Sequence, residues 1–502
     1  MRILFDTNIL ILRENNSPVP ENLSNLMSLL NGLEQCSLHV HALSIQEIKH
    51  DLNITRRDTN LSKISSYALL NEYPDYKSDT DFKSKIPSPK TDNDIVDNQL
   101  LYCVYKNVVD YLITEDRELL RKGELLSINT VININEAISI FVQYYPKTDF
   151  ILIQNFKKIK AFDLPIQDSF FDSLKSEYKE FNVWFKKIAN RECYAYLDDK
   201  ERINALLIPK IENKSELSFS FNSNGASDKI LKICLFKVSS RAQGLKLGER
   251  LLKIAFDYAD ANKLNDIYLT HFCSEGDYLV SLIENFGFYK KCENNRGEAV
   301  FVKHIVKQEL DNIIDYAELN KKYYPSFCSN IYIKKHIVPI KGTFHDLLFP
   351  DWKNPEGYQT SLQFELTKSE GNSIKKAYIC NANTTKIKSN DILLFYRTED
   401  EKCITTLGVV DDVIYDVKDP DEVCKLTSKR TVFKHNQIEE LCHSKVLVIL
   451  FKQHFYLKAP YSYKNLLKNN IVTGPIQSIM EINDDKYQKI VQGNIDAHFI
   501  IN

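Results

Sequence analysis

The sequence predicts an α/β protein of several domains. Strand-like and helix-like segments alternate over much of the chain, and apolar residues make up 43% of its 502 residues, as in globular proteins. A chain of this length exceeds what one hydrophobic core usually supports. We expect an α/β unit at 1–148, a second unit at 149–303, a helical connector at 304–330 and a small β-barrel at 331–502.

The composition disfavours several classes of protein. No apolar run approaches the roughly 20 residues of a membrane span, and the chain opens on a strand-like segment, so we expect a cytoplasmic protein without membrane contact. The eleven cysteines include no C-x-x-C pair, which argues against a disulfide framework and a zinc knuckle. Glycine-rich phosphate loops are absent from the sequence, which disfavours an ATPase or a dehydrogenase. The net charge of −2 means that any nucleic-acid binding would rest on local patches.

Acidic residues stand at the ends of apolar segments in the first unit. Asp6 follows the strand-like residues 2–5, and Asp116 follows the strand-like residues 110–115. Glu47 and Asp97 also lie where an apolar segment meets a loop. Carboxylates that gather at one sheet edge repel one another unless a divalent cation offsets their charge. The pattern therefore predicts a Mg²⁺ or Mn²⁺ site suited to phosphodiester hydrolysis.

Residues 1–148 resemble a PIN-domain nuclease. The resemblance lies in the strings FDTN at 5–8, SIQEI at 44–48, DIVDNQLL at 94–101 and TEDR at 114–117. It implies a three-layer α/β/α fold and a metal-dependent ribonuclease. The catalytic, metal-binding residues that it implies are Asp6, Glu47, Asp97 and Asp116, with Asp94 as an alternative or additional ligand and with Asn8 and Thr114 orienting the carboxylates.

Two other interpretations of the acidic residues stay open. Each acid taken alone fits a helix cap or a solvated surface charge, although four in register favour the metal site. The unit would alternatively be an inactive PIN domain that only binds RNA. Asp94 and Asp97 are one helical turn apart, so the sequence does not decide which of them faces the ion.

The second unit contains a strand-like segment at 232–238 that leads through a tight turn into a helix. The free N–H groups at such a helix start suit a pyrophosphate. This unit resembles the GNAT N-acetyltransferase family through QGLKLG at 243–248 and NFGF at 285–288. The resemblance implies an α+β fold and an acetyl-CoA site made of Leu235, Phe236, Val238, Gln243, Gly244, Lys246 and Gly248.

Two departures from the GNAT pattern bear on catalysis. Lys246 replaces the middle glycine of the turn, although its N–H and its ammonium group remain suited to a phosphate. Ile283 stands where many members carry a tyrosine that acts as general acid, and Tyr278 is the nearest substitute. Two interpretations of this unit therefore stay open: an active acetyltransferase, and a scaffold or acetyl-CoA sensor.

The third unit resembles an ASCH domain of the PUA-like superfamily. The strings KAYIC at 376–380, NDILLFYR at 390–397, KRTVF at 429–433 and GPIQSI at 474–479 carry the resemblance, which implies a β-barrel that binds RNA. Interleaved basic and aromatic residues suit phosphate contact and base stacking. The RNA-binding candidates are Lys376, Tyr378, Tyr396, Arg397, Lys429 and Arg430. Alternatively, the aromatic residues are ordinary strand residues and the lysines lie on a solvent-exposed face of the sheet.

Taken together, the three resemblances predict a metal-dependent endoribonuclease acting on structured RNA, with tRNA as the leading substrate. Analogy at the level of fold further suggests a toxin or defence role in a prokaryote, a neutralising antitoxin partner and a homodimer. The first alternative is an N-acetyltransferase acting on an aminoacyl-tRNA or a protein. The second is an RNA-binding scaffold without catalysis.

Overall fold

The described part of the chain folds around three large β-sheets and two short ones. The computed structural model describes residues 1–14, 20–31, 33, 36–49, 57, 61, 64, 67–144, 152–153, 156–197, 201–221, 227–239, 242, 246–273, 277–308, 315–353, 367–368, 373–427 and 430–502. Within these residues, no helix combines the length and the apolar character that a membrane crossing would need.

The first sheet has five parallel strands in the order β3-β2-β1-β4-β5. Its strands are β1 (Arg2–Phe5), β2 (Ser37–His41), β3 (Ala68–Leu70), β4 (Tyr111–Ile113) and β5 (Val131–Ile132). Its described helices are α1 (Thr7–Glu14), α2 (Glu21–Asn31), α3 (Ala42–Lys49), α4 (Thr80–Lys85), α5 (Asp92–Tyr105), α6 (Arg117–Leu125) and α7 (Ile134–Phe141). Alternate residues of β1 enter different cores, since Ile3 and Phe5 pack in one and Leu4 in the other. The sheet is therefore covered by apolar contacts on both faces, as a parallel sheet requires.

Residues 75–92, a polar segment, contain a 3-10 turn at Tyr76–Ser78 and the helix α4. Asp79 caps α4 by accepting a hydrogen bond from the Phe82 N–H, and its other oxygen lies 2.9 Å from Lys106 Nζ. Tyr76 and Phe82 are buried. Two apolar side chains anchor this segment, a feature that its polar composition conceals.

The second sheet has seven strands in the order β12-β13-β11-β10-β9-β8-β7. They are β7 (Lys157–Lys160), β8 (Glu192–Leu197), β9 (Ile203–Asn213), β10 (Lys229–Val238), β11 (Asp266–His271), β12 (Tyr289–Glu293) and β13 (Ala299–His304). The accompanying helices are α8 (Asp172–Glu177), α9 (Phe181–Lys187), α10 (Leu247–Ala261) and α11 (Tyr278–Glu284). β10 and β11 are parallel, whereas the other described pairs are antiparallel. The predicted mixed α and β unit is therefore present.

The third large sheet has six strands in the order β17-β20-β19-β18-β15-β21. They are β15 (Lys335–Ile340), β17 (Lys375–Cys380), β18 (Ile392–Arg397), β19 (Cys403–Val417), β20 (Val446–Ser462) and β21 (Met480–Ile482). Its helices are α13 (Gly342–Leu348), α14 (Pro420–Thr427), α15 (His435–Cys442), α16 (Tyr463–Lys468) and α17 (Asp484–Val491). β17 and β21 form opposite edges and do not pair among the described residues, so the predicted barrel is not closed there.

Short elements link the third predicted unit to the second unit and to the connector. β6 (Leu152–Ile153) pairs with β16 (Thr367–Lys368), and β14 (Phe327–Cys328) pairs with β22 (Ile500–Ile501). α12 (Tyr316–Lys322) is the described helix of the predicted connector. The hydrophobic core beneath α10 also includes Ile374 and Phe499 of the third unit. The domain boundaries at 148, 303 and 330 stay predictions, because these contacts cross two of them.

Candidate functional sites

The first candidate site lies at the point in the first sheet where the order of the strands reverses. The chain passes from β1 to β2 on one side, whereas β4 lies on the other side of β1. Ligands of open α/β sheets bind at such a switch point, beyond the carboxyl ends of the strands. Asp6 directly follows β1, and Asp116 lies three residues after β4. We call the group Asp6, Glu47, Asp97 and Asp116 the acidic cluster.

Hydrogen bonds hold two members of the acidic cluster in place. Asp6 Oδ1 accepts the Thr7 N–H at 2.6 Å, and Asp6 Oδ2 accepts the Thr114 hydroxyl at 2.6 Å. The Thr7 hydroxyl donates to Glu47 Oε2 at 2.6 Å. Asn8 Nδ2 donates to Thr114 Oγ1 at 3.3 Å. Asn8 and Thr114 are therefore linked to Asp6 through hydrogen bonds, and their role in orienting metal-binding carboxylates stays a prediction.

The members of the acidic cluster are close enough to disturb one another's ionisation. Burial, followed by the negative charges of Asp6 and Asp116, raises the pKa of Asp97 to about 8. Burial raises the pKa of Asp6 to about 6, against the lowering effect of the Thr114 hydrogen bond. Burial also raises the pKa of Glu47. Without a cation, burial and the nearby negative charges therefore disfavour the charged forms of Asp6 and Asp97.

Asp94 has a different role from Asp97. Its Oδ2 accepts the backbone N–H groups of Lys90 and Thr91, at 2.8 and 2.9 Å, and it completes a capping box at the start of α5. Asp97 makes no hydrogen bond with the described residues and interacts with the rest of the cluster instead. The structure thus favours Asp97 as the residue that faces the site.

Lys122 is a neighbour of the cluster that the sequence analysis did not single out. Its side chain is 2% exposed, its Nζ lies 3.8 Å from Asp94 Oδ1, and its positive charge lowers the pKa of Asp97. Its spacing of three residues from the buried Leu119 on α6 is the signal that would have placed it on the inner face.

The carboxylates do not form a ready metal site in their present rotamers. Among the described residues, no group of three or more His, Cys, Asp or Glu side chains has an arrangement that could hold a metal ion. Asp6 and Glu47 point oxygens at threonine donors, and Asp116 Oδ1 accepts the Leu119 N–H at 2.8 Å as the cap of α6. Coordination would therefore need some of these side chains to turn.

The second candidate site lies between β10 and β11. These parallel strands pair at Leu231, Lys232 and Ile233, and β10 continues to Val238 without further pairing to β11 among the described residues. On its other side β10 stays paired with β9 as far as Val238. The inner edge of β10 thus offers unpaired backbone groups, which is the arrangement that accepts an extended ligand as an additional strand.

A cavity of about 1580 Å³ adjoins the parted strands. The predicted acetyl-CoA residues Leu235, Phe236, Val238, Lys246 and Gly248 all line it, whereas Gln243 and Gly244 lie outside the described residues. Arg117 and Arg430 line it from the first and third predicted units. The cavity is large enough for a ligand of cofactor size, since such pockets usually measure about 300–1,000 Å³.

Lys246 occupies the turn before α10 in a backbone conformation that suits glycine. Its φ is +57°, in the left-handed region. This agrees with its alignment to a glycine of the predicted motif. Its Nζ lies 3.7 Å from Glu249 Oε1, and Glu249 Oε2 accepts the Ile374 and Lys375 N–H groups. The amine is therefore partly neutralised before any phosphate arrives.

Ile283 does not face the cavity. It is fully buried in the core beneath α10, whereas its neighbour Leu282 lines the cavity. The side chain of Tyr278 lies outside the described residues. Among the described residues of α11, Leu279 and Leu282 line the cavity, and neither side chain can act as a general acid.

Most RNA-binding candidates of the third unit are interior residues. Lys376, Tyr378, Tyr396 and Arg397 are at most 7% exposed. Lys376 Nζ donates to the Leu348 carbonyl at 2.7 Å, and the Tyr378 hydroxyl donates to the Pro339 carbonyl. This corrects the expectation of a basic and aromatic surface on β17 and β18. Arg430 reaches the cavity and pairs with Asp411 at 3.1 Å, and Lys429 lies outside the described residues.

Comparisons with known proteins show local likeness of fold. No family model and no curated protein matches the chain. Solved structures that match include an ASCH protein from Zymomonas mobilis, with 12% identity, a TM-score of 0.25, and coverage of 32% of this chain and 94% of that one. Arylalkylamine N-acetyltransferase 2 from Aedes aegypti matches with 12% identity, a TM-score of 0.22, and coverage of 30% and 99%.

A third match is NAA60 from Arabidopsis thaliana in complex with acetyl-CoA, with 14% identity, a TM-score of 0.22, and coverage of 28% of this chain and 98% of that one. These neighbours belong to the ASCH and acetyltransferase folds, and none of the three supports a PIN identity or a metal-dependent nuclease. At such TM-scores the likeness says nothing of what this chain does. Function has to be argued from the two sites.

Proposed function

We propose that this protein is a divalent-cation-dependent nuclease that hydrolyses RNA at the acidic cluster. One observation carries the proposal: the acidic cluster lies at the switch point of a parallel sheet, where burial, followed by the charges of Asp6 and Asp116, raises the pKa of Asp97 to about 8. Such repulsion destabilises the folded chain, so a purely structural role explains it poorly. A cation at this place would relieve the repulsion.

The donor set fits a hard divalent cation. The cluster offers carboxylate oxygens only, which Mg²⁺ and Mn²⁺ prefer. Asp97 has both oxygens available, and Asp116 has its Oδ2 available, within the described part of the chain. A bound cation would polarise a phosphate oxygen and increase the acidity of a nearby water.

The surrounding residues suit the remaining tasks of hydrolysis. Thr7 and Thr114 fix Asp6 and Glu47, and they leave each carboxylate further lone pairs. Lys122 supplies a buried positive charge beside Asp97. As the pKa of Asp97 lies near neutrality in the free protein, this residue is suited to hold a proton until a cation displaces it.

The test is a cleavage assay on total RNA and on single-stranded DNA, with Mg²⁺, Mn²⁺ or EDTA. We expect discrete RNA fragments that require the cation and are lost in Asp6→Asn/Asp97→Asn. Asp94→Asn is the matched control, because Asp94 lies one turn away on α5 and serves as a cap. The absence of cleavage under every cation would overturn the proposal, and equal loss in Asp94→Asn would remove its assignment to Asp97.

A second candidate function, acyl transfer from an acyl-CoA thioester, is favoured by the parted strands. The unpaired edge of β10, the start of α10 and Lys246 adjoin one cavity. The peptide-like arm of CoA can pair with a free strand edge, and its phosphates suit the N–H groups at a helix start. Equilibrium binding of acetyl-CoA to the full chain tests it, with submillimolar affinity expected and no binding as the contrary result.

A further inference from the structure

A polar cluster lies at the end of β11, inside the cavity. His271 Nε2 lies 2.6 Å from Asp277 Oδ2. Glu298 Oε1 accepts the Tyr178 hydroxyl at 2.7 Å, and the Thr270 hydroxyl lies 3.4 Å from the same oxygen. All five residues line the cavity. None of them belongs to a motif of the predicted sites.

Asp277 determines which nitrogen of His271 carries the proton. Because a carboxylate accepts hydrogen bonds, Nε2 is the donor in this pair, and Nδ1 of the neutral ring keeps its lone pair. Nδ1 has no hydrogen bond within the described residues. Asp277 is itself fixed, since its Oδ1 accepts the N–H groups of Leu279 and Val280 at the start of α11. A histidine oriented by a fixed carboxylate is the arrangement of a general base.

The position of the pair matches the chemistry of the cavity. β11 stops pairing with β10 after Leu269, so Thr270 and His271 follow directly on the gap between the strands. We infer that His271 is the general base of an acyl-transfer site, taking a proton from a primary amine, or more slowly from water, that attacks a thioester held beside β10. This inference rests on the second proposed function.

The step balances without any further reactant. The nucleophile forms a bond to the thioester carbonyl carbon, and the carbon–sulfur bond breaks. The proton of the nucleophile passes to His271 Nδ1, and the electron pair of the broken bond leaves on sulfur as a thiolate. His271 then returns its proton to solvent or to the thiolate, and Asp277 stabilises the imidazolium meanwhile.

Other charged groups face this region. Cys273 lies two residues after His271. The charges of Asp277, Lys290 and Glu293 act on the Cys273 thiol. Glu298 is joined to β11 through Thr270. Asp277 is the nearest described charge to the imidazole ring, so it is the group expected to set the behaviour of His271.

The experiment measures thiol release from acetyl-CoA by the full chain, with water alone and with n-butylamine, between pH 5.5 and 9. The pH profile is taken with water as the nucleophile, where we expect the wild-type rate to rise with pH because only the neutral imidazole accepts a proton, and the n-butylamine rates of the variants are compared at pH 9 only. His271→Gln should lower the rate by about 100-fold or more and abolish this pH dependence, whereas the affinity for CoA should be unchanged. Asp277→Asn, which keeps the acceptor and the helix cap, should give an intermediate loss. His443, which is exposed and does not line the cavity, provides the control variant His443→Gln.

The outcomes separate this inference from the function on which it rests. If the wild type does not bind CoA, the second proposed function fails. If it binds CoA but His271→Gln keeps the rate and the pH profile, or if no thiol is released from the wild type, the assignment of His271 is overturned while CoA binding stands.

Discussion

The Thr114 hydroxyl donates to Asp6 Oδ2 at 2.6 Å although the two residues are 108 positions apart in the chain. This bond joins the ends of β1 and β4 at the switch point of the first sheet. The same hydroxyl oxygen accepts the Asp116 N–H at 2.9 Å. One threonine therefore positions both strand-end acids of the acidic cluster.

Thr114→Val keeps the shape of this side chain and removes the hydroxyl. We expect RNA cleavage to fall by about 10- to 100-fold, because the outer partners of metal-binding carboxylates have effects of this size. The pKa of Asp6 should rise further, since the Thr114 bond lowers it. Cleavage rates at a fixed Mn²⁺ concentration check the prediction. Thr114→Ser, which keeps the hydroxyl, should retain most activity, and equal rates for Val and wild type would contradict it.

The raised pKa of Asp97 makes the stability of the cation-free protein depend on pH. The folded chain binds this proton more tightly than the unfolded chain, because the pKa is about 8 against 3.8. The stabilisation is complete below about pH 4 and is lost as the pH rises to about 8, by at most about 1.4 kcal/mol per pH unit. Melting temperatures in EDTA should therefore fall between these values in the wild type more steeply than in Asp97→Asn. Parallel curves would contradict this.

Lys246→Gly separates backbone strain from ligand binding. Glycine adopts the φ of +57° at less cost, which offsets the loss of the ion pair with Glu249, so the melting temperature should change little, whereas acetyl-CoA affinity should weaken about tenfold through loss of the amine. Lys263→Gly is the matched control, because Lys263 has a φ of +56°, is exposed and does not line the cavity. Calorimetric titration with acetyl-CoA checks both variants. An undiminished affinity in Lys246→Gly would place the phosphates elsewhere.

Arg397→Met should reduce stability rather than RNA affinity. Arg397 is 5% exposed, bonds to the Gly342 carbonyl and both Asp346 and Asp400, and lies over the Trp352 ring. Loss of these bonds should destabilise the fold by about 1–3 kcal/mol, since both carboxylates stay half exposed and can be solvated. Melting temperature and RNA binding are measured together, with Lys334→Met as a surface-pair control. Weaker RNA binding at an unchanged melting temperature would refute this placement.

The acidic cluster could be predicted because its signal is local. Strand ends in a parallel sheet converge on one edge, so an acid after each apolar strand predicts the meeting of Asp6 and Asp116. The choice between Asp94 and Asp97 was left open because both lie on one helix face, yet Thr91 and Asp94 form a capping box, a local pattern that assigns Asp94 to the start of α5.

The burial of individual residues in the third unit was harder to predict from the sequence. The residues of β18 are all buried, and those of β17 nearly so, because both faces of this part of the sheet are covered. Alternating basic and aromatic residues therefore do not indicate a solvent-exposed face in this part of the sheet. Closure of a barrel depends on whether two edge strands meet, and no local pattern encodes that contact. The partly buried pair of His271 and Asp277 likewise matches no motif that the sequence was searched for, and its position beside the gap between β10 and β11 follows from tertiary packing.

The central claim is that the acidic cluster is one cation-dependent site, and Mn²⁺ binding followed by electron paramagnetic resonance tests it most directly. The account predicts saturable Mn²⁺ binding to the full chain at neutral pH that is competed by Mg²⁺, weakened at least about tenfold by Asp97→Asn and unchanged by Asp94→Asn. The absence of Mn²⁺ binding, or binding that Asp97→Asn leaves intact, would contradict it.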